Sequence, residues 1–401
     1  MKSLNYLGNF VLILCVILLA SNALIISTKK HYFTAIEPAT FFAACVGMLF
    51  LLCFFNIKSQ NSKSNTIFSY FKFIFPLFSI GCLYVLLYSV GFGNQKSDAT
   101  TQYVYIILFN IICSVIIYSY LNYYSVTKEV LNFIFEITLL VIIISVFIDV
   151  LHPGTFSPTE TRAAGLPENP NSTSFRVASI LAVLLFSEIS IKKKYFYLVF
   201  ASLATFATFS RSGILLLLIV IAFFIVKNLQ HLRKINWFKV IGLSIFLLIS
   251  YEIATASINL PSLLELFDKQ LNSERFNMVT SSESFTNMED PRVTLARMYF
   301  HKALDQPLVG YGPLSSTVYS QGPHNMFLLL WFETGLLGLI LYLLFFLNLY
   351  RYAKLSKAIP VIIWGICVLT NSFFSHNLLS EYFFVFVTPL IYYYTQQSET
   401  V

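Results

Sequence analysis

The sequence is poor in charge. Asp, Glu, Lys and Arg make up 11% of 401 residues, against 57% hydrophobic residues and a mean hydropathy of +0.73. A soluble domain carries roughly a quarter of its residues as charges, so a water-facing surface over most of this chain is excluded. Cysteine is also sparse. All six (Cys15, Cys45, Cys53, Cys82, Cys113, Cys367) fall inside apolar segments, without metal-ligand spacing or a loop position suited to a disulfide. They read as small membrane hydrophobes with no redox role. Serine-hydrolase elbows, P-loops, dinucleotide glycine fingerprints and zinc spacings are missing as well. No metal and no cofactor are therefore expected, and chemistry would fall to arginines acting as fixed cations. The net charge of +7 comes from short basic runs between apolar stretches, which points away from nucleic acid and towards membrane topology.

What the chain has is apolar length. A bilayer core takes roughly 20 apolar residues per helix. That ruler gives spans near 7–27, 36–56, 69–91, 102–123, 130–151, 174–190, 195–210, 212–227, 238–255, 325–348, 359–377 and 381–396. The fold class expected is an all-α polytopic membrane protein with about twelve transmembrane helices. The first apolar run, Leu4 to Ile26, is too long for a signal-peptide core and reads as a retained helix. Basic residues concentrate at Lys192–Lys194, Lys227–Lys239 and Arg351–Lys357, whereas the alternate short loops hold only Lys29, Lys30, Lys96 and Arg162. By the positive-inside rule both termini are cytoplasmic.

Three regions follow: N-terminal helices over 1–151, a core over 152–350, and C-terminal helices over 351–401. The core holds both outside loops, 152–173 and 256–323. The longer loop carries five Lys/Arg and seven Asp/Glu, so it is no basic tail. Its middle, Arg292 to Leu304, has helical periodicity behind an Asp290-Pro291 start signal.

Arg211 stands between two short apolar segments, flanked by Ser210, Ser212 and Gly213. An arginine in hydrocarbon costs at least ~2.5–3.5 kcal/mol, so it should face the protein interior or a water-filled cavity. Snorkelling to the interface is the bland alternative. Its planar fork suits phosphate oxygens, and a helix N-terminus beside it adds partial positive charge. Arg162, Gly165, Asn169 and Asn171 make a turn-rich loop that alone is a weak signal, and Arg176 is a further charge at membrane depth. Arg297 and His301 are four apart and share a helix face, with a solvated polar face as the equal alternative. His324-Asn325 opens the tenth span, with Glu333, Gly335 and Gly338 deeper in it. The acids Glu136, Asp149, Glu188, Glu252 and Glu381 sit in apolar sequence without obvious partners, and His376-Asn377 reads as structural.

Taken in order, Arg162-x-x-Gly165 with Asn169-Pro-Asn171, Ser210-Arg211-Ser-Gly213, Arg292, Gly310-Tyr-Gly312 and His324-Asn-x-x-Leu-x-x-x-x-Glu333-x-Gly335-x-x-Gly338 resemble the O-antigen polymerase and ligase superfamily. The resemblance covers roughly residues 150–350. It implies a GT-C-like enzyme of the bacterial inner membrane with a periplasmic active site, acting on undecaprenyl-diphosphate-linked glycans. Its partners would be that lipid-linked donor, a glycan acceptor and the bilayer, with a chain-length regulator protein as a further candidate. The resemblance assigns catalytic roles to Arg211, Arg292 and His324. Arg162, Arg176, Asn171, Arg297, His301 and Glu333 are candidate substrate-binding residues. A polymerase is favoured because the sequence after the tenth span is short. A ligase shares the chemistry and is the first alternative. A lipid-linked glycan flippase is the rival of a different class, but the halves show no convincing internal repeat.

Overall fold

In a chain with so few solvated groups, backbone N–H and C=O in apolar segments must satisfy one another, which selects helices. The computed structural model describes residues 2–29, 37–56, 64–93, 98–158, 162–232, 291–319, 322–356, 359–375 and 377–399. Among them the α-helices are α1 (Lys2–Cys15), α2 (Ala23–Lys29), α3 (Pro38–Asn56), α4 (Ser64–Ser89), α5 (Asp98–Tyr124), α6 (Lys128–Leu151), α7 (Pro170–Phe186), α8 (Ile191–Ala207), α9 (Arg211–Leu232), α10 (Pro291–Asp305), α11 (Met326–Ser356), α12 (Ile359–Phe374) and α13 (Tyr382–Glu399). The expected span 238–255 lies outside the described residues. Each of the other expected spans is mostly helical over its described residues. By length and hydropathy, five described helices can cross a membrane: α4, α5, α6, α9 and α11. A sixth arises if α1 and α2, bent by 57° at Ser21-Asn22, count as one span. Over its described residues the protein is thus all-helical, with the apolar helices of a multi-pass membrane protein.

Contacts along the helices fix their directions. Tyr84 of α4 bonds Glu333 of α11 at one end, and Asn348 of α11 donates to the Lys72 carbonyl at the other, so α4 and α11 are antiparallel. The ring pairs Phe345–Phe384 and Tyr352–Tyr392, the latter stacked at 4.1 Å, make α11 and α13 parallel. Helices α7 and α9 are parallel too: Ser174 abuts Gly213 near their starts, and Phe186 meets Phe224 at 6.3 Å further along. The start of α13 meets the start of α7 through Glu381 and Ser172. One end of the bundle therefore gathers the start of α7, α9, α11 and α13 and the end of α4. Helix α12 packs against α7, α9 and α11 alike.

Two chain reversals shape that end. Residues 195–227 read as two nearly continuous spans, and the structure instead turns the chain back. Thr208 at the end of α8 lies beside Arg162 and the start of α7, so α8 runs against both α7 and α9. Phe209 makes the turn with φ 47°, and Ser210 caps α9 by accepting from the Gly213 amide at 3.1 Å. The second reversal is the turn after α10. It docks on a break in α11 at Gly335, where φ is 67° and ψ −168°. Tyr311 and Gly312 donate to the carbonyls of Phe332 and Glu333, both at 2.8 Å, and Leu336 donates to the Pro307 carbonyl at 2.8 Å. Backbone meets backbone here, and a Cβ on Gly335 would lie 2.1 Å from the Leu308 oxygen. Gly312 in turn seats against Phe92 and Gly93 after α4.

Gly335→Ala should therefore strain the break, by about 1–3 kcal/mol for the backbone conformation alone, and clash with Leu308 besides. Thermal unfolding of detergent-purified protein checks this: the midpoint should fall clearly. In Gly47→Ala, where nothing lies within 4 Å of an added Cβ, it should not.

Candidate functional site

The first cluster forms where α7 and α9 begin. The loop before α7 is organised by Asp149, a buried carboxylate near the end of α6. It accepts from the amides of Phe156 (2.9 Å), Ser157 (3.1 Å), Ala164 (2.7 Å) and Gly165 (3.2 Å). Gly165, at φ 60°, presses on Ser145 and Val146 where a side chain would not fit. The loop is thereby closed against α6, and Glu168 ties it to Lys29 at 2.5 Å.

This closure aims Arg162 at the α8–α9 turn. Its Nε donates to the Thr208 carbonyl at 3.0 Å and its Nη2 to Asn171 Oδ1 at 3.4 Å. Asn171 Oδ1 also accepts from Ser210 Oγ at 2.8 Å. Asn169 caps α7 and Ser210 caps α9, so two helix N-termini lie side by side. Arg211 is the first residue of α9, and its side chain is exposed. Arg162, Asn171 and the Ser210-Arg211-Ser212-Gly213 turn are one assembly. Two guanidinium groups and two positive helix ends suit an anion with several oxygens.

Arg176 behaves differently. It is buried, with Nη1 donating to the Ala20 carbonyl (2.7 Å) and Asn22 Oδ1 (2.9 Å), and Nη2 reaching Glu381 Oε2 at 3.2 Å. The bend between α1 and α2 frees that carbonyl, and Arg176 fills the gap. It clamps the bend before α2, the start of α7 and the residue before α13 together, and stands over the Phe383 ring at 5.4 Å.

The second cluster surrounds the start of α11. Asn325 caps this helix by accepting from the Leu328 amide at 3.0 Å. His324, half-buried just before it, holds φ at 49°, a conformation rare for a residue other than glycine. Glu333 lies fully buried below, accepting from Tyr84 Oη at 2.9 Å and from Ser316 Oγ at 2.7 Å. It joins α4, α11 and the 3₁₀ turn Ser315–Val318. Tyr299 of α10 donates to the Ser316 carbonyl at 2.9 Å. Burial, and then the nearby Glu333 carboxylate, push its phenol up to about 12, so it stays a donor. Arg292 stands in the first turn of α10, and its side chain lies outside the described residues. Arg297 and His301 are exposed on that helix.

Residues 196–343 match a family model described as O-antigen ligase. The match supports the O-antigen polymerase and ligase superfamily. No curated protein matches the chain. The matched segment of this superfamily runs from α8 to the middle of α11 and includes Arg211, Arg292, Arg297, His301, His324 and Glu333. Arg162, Asn171 and Arg176 precede it. A membrane glycosyltransferase-like enzyme is the activity class that the superfamily indicates.

Several acids expected without partners have them. Glu136 pairs with Lys193 at 3.0 Å, Glu188 with Lys128 at 2.7 Å and Glu381 with Arg176, while Asp149 is held by amides. Those partners come from distant sequence, which a single-sequence reading does not join. Glu252 and His376 lie outside the described residues. Asp149 and Tyr84 escaped the site reading; a lone aspartate in an apolar helix was the available signal, and Tyr84 offered none.

The two arginines should separate by experiment. Arg176→Ala removes the buried cation that Glu381 pairs with, leaving that half-buried carboxylate only Ser172 Oγ, and should cost about 3 kcal/mol of stability. Arg211→Ala removes an exposed side chain and should stay within about 0.5 kcal/mol. Thermal unfolding of the purified variants distinguishes them.

Proposed function

We propose that this protein polymerises undecaprenyl-diphosphate-linked oligosaccharide repeat units into O-antigen or a related surface polysaccharide at the periplasmic face of the inner membrane. The observation that carries the reading is the Arg162–Asn171–Ser210 assembly beside Arg211, at the same bundle end as His324. Residues 152–350 form the catalytic core of a twelve-span, GT-C-like protein with cytoplasmic termini, an orientation supported by the loop charges.

The donor diphosphate binds among the arginines and the helix starts. An acceptor hydroxyl attacks the anomeric carbon, the bond to the diphosphate oxygen breaks, and the configuration inverts. Charge grows on the leaving diphosphate, where fixed guanidinium groups stabilise it without a metal. Arg211 and Arg292 take that role, with Arg162 holding the loop and Asn171 the turn. His324 accepts the hydroxyl proton or orients the hydroxyl. Glu333 and Arg176 act by positioning: one fixes the turn beside His324, the other the start of α7.

Transfer of the finished glycan to lipid A-core is the second reading, favoured by the family model's own description as O-antigen ligase. Deleting the gene in its native host and running the lipopolysaccharide on a gel separates the two. Core bearing a single repeat unit is the expected result. Bare core with polymer held on the carrier lipid would make the protein a ligase; an unchanged ladder with loss of capsule or exopolysaccharide would make the product a related surface polysaccharide, and no change in any of these glycans would contradict both readings. Complementation with Arg211→Ala, Arg292→Ala or His324→Ala should lower polymer by at least ~100-fold. Arg211→Lys should fail too, because a point charge does not reproduce the fork. Wild-type ladders from well-expressed arginine variants would sink the diphosphate site.

A further inference from the structure

The end of the bundle away from the candidate site is rich in lysine. Helix α7 ends there at Phe186, α8 starts there with Lys192, Lys193 and Lys194, and α9 returns there with Lys227. Between Glu188 and Glu252 the sequence has eight Lys or Arg and no Asp or Glu, so neither α8 nor α9 can balance these charges with its own acids. Glu136 and Glu188 do reach this end, but Lys193 takes the first at 3.0 Å and Lys128 the second at 2.7 Å. Lys194 and Lys227 form no ion pair among the described residues.

The packing nevertheless holds these two near each other. The Tyr195 ring meets Phe224 of α9 at 6.1 Å, three residues before Lys227, and Phe186 meets the same ring at 6.3 Å. Lys227 Nζ stands over the Phe186 ring at 5.1 Å, a cation–π contact that draws it in over the end of α7. Lys194, next to Tyr195, is half-buried, and burial and then the Lys227 charge lower its ammonium from the usual range. Two ammonium groups held together without a carboxylate repel, and an anion beside both relieves that repulsion.

Depth decides the kind of anion. Lys227 stands at the end of Arg211–Asn228, a segment long and apolar enough to cross a membrane, so its ammonium reaches the level of lipid headgroups. Phe223, four residues earlier on the same face of α9, is exposed, as are Val226 and, on α8, Phe196. A soluble anion leaves these apolar side chains unused, whereas a phospholipid lays an acyl chain along them. We infer that Lys194 and Lys227 form a binding site for the phosphate of an anionic membrane phospholipid, at the far end of the α8–α9 hairpin whose other end carries the Ser210–Gly213 turn. A zwitterionic lipid brings its own cation beside the phosphate and cancels much of the attraction, so the site selects a net negative headgroup. It does not depend on the glycosyl-transfer reading.

Photolabelling tests it. Full-length protein in phosphatidylcholine nanodiscs doped with phosphatidylglycerol carrying a diazirine on one acyl chain is irradiated, and labelled peptides are mapped by mass spectrometry. Label should concentrate on the start of α8 and the end of α9. Unlabelled phosphatidylglycerol should displace it, and neither inorganic phosphate nor added phosphatidylcholine should do so. Lys194→Gln combined with Lys227→Gln should lower labelling about tenfold, equivalent to ~1.4 kcal/mol. Lys194→Arg with Lys227→Arg should keep it, and so should Lys354→Gln, which removes an exposed lysine from α11. Thermal unfolding in phosphatidylcholine alone should match wild type for the Gln pair, and displacement on the wild-type chain decides even where that pair does not fold. Label spread over all the apolar helices, displacement by phosphatidylcholine or inorganic phosphate, undiminished label in the folded Gln pair, or an equal loss in Lys354→Gln would overturn the inference.

Discussion

A helix broken in a membrane protein leaves backbone groups that lipid cannot satisfy, and α11 breaks at Gly335. The turn after α10 supplies what the break lacks: two amides for the carbonyls of Phe332 and Glu333, and the Pro307 carbonyl for the Leu336 amide. This exchange works only at backbone distance, which is why Gly310, Gly312 and Gly335 all stand where a Cβ would collide. Glu333 locks the same junction from inside by bonding Tyr84 and Ser316. The position of α10 and the seating of Trp331 follow from that junction.

The arginines divide by what surrounds them. Arg176 is enclosed, paired with Glu381 and spent on holding a bent first helix against α7. Arg162 is partly engaged, joining the loop to the α8–α9 turn. Arg211 projects from the first turn of α9 with an exposed side chain. Charge placed near helix starts at one bundle end gives a polar centre beside apolar membrane spans. That contrast suits a substrate with an anionic joint between a lipid and a sugar.

Much of the fold was legible from hydropathy, because apolar runs near bilayer length have little choice but to be helical. The helix over α10 was legible from period and from the Asp290-Pro291 start. The reversal at Phe209 was not: two short apolar runs joined by Ser210-Arg211-Ser212-Gly213 fit a broken span or a hairpin equally, and only the Arg162–Thr208 contact decides. Candidate residues were readable as charges in costly places, but their roles were not. Arg162 and Arg176 look alike in sequence, and their difference comes from Asn171 and Ser210 on one side and Glu381 on the other. Asp149 shapes the loop through four amides, a role that no side-chain pattern announces.

The most direct measurement is transfer by the purified protein alone. The chain is placed in nanodiscs with undecaprenyl-diphosphate-linked repeat units and EDTA, and the lipid-linked products are sized by mass spectrometry. Lipid-linked oligosaccharides longer by whole repeat units, with matching release of undecaprenyl diphosphate, are the expected result. Substrate recovered unchanged from folded protein would contradict polymerisation as the activity of this protein.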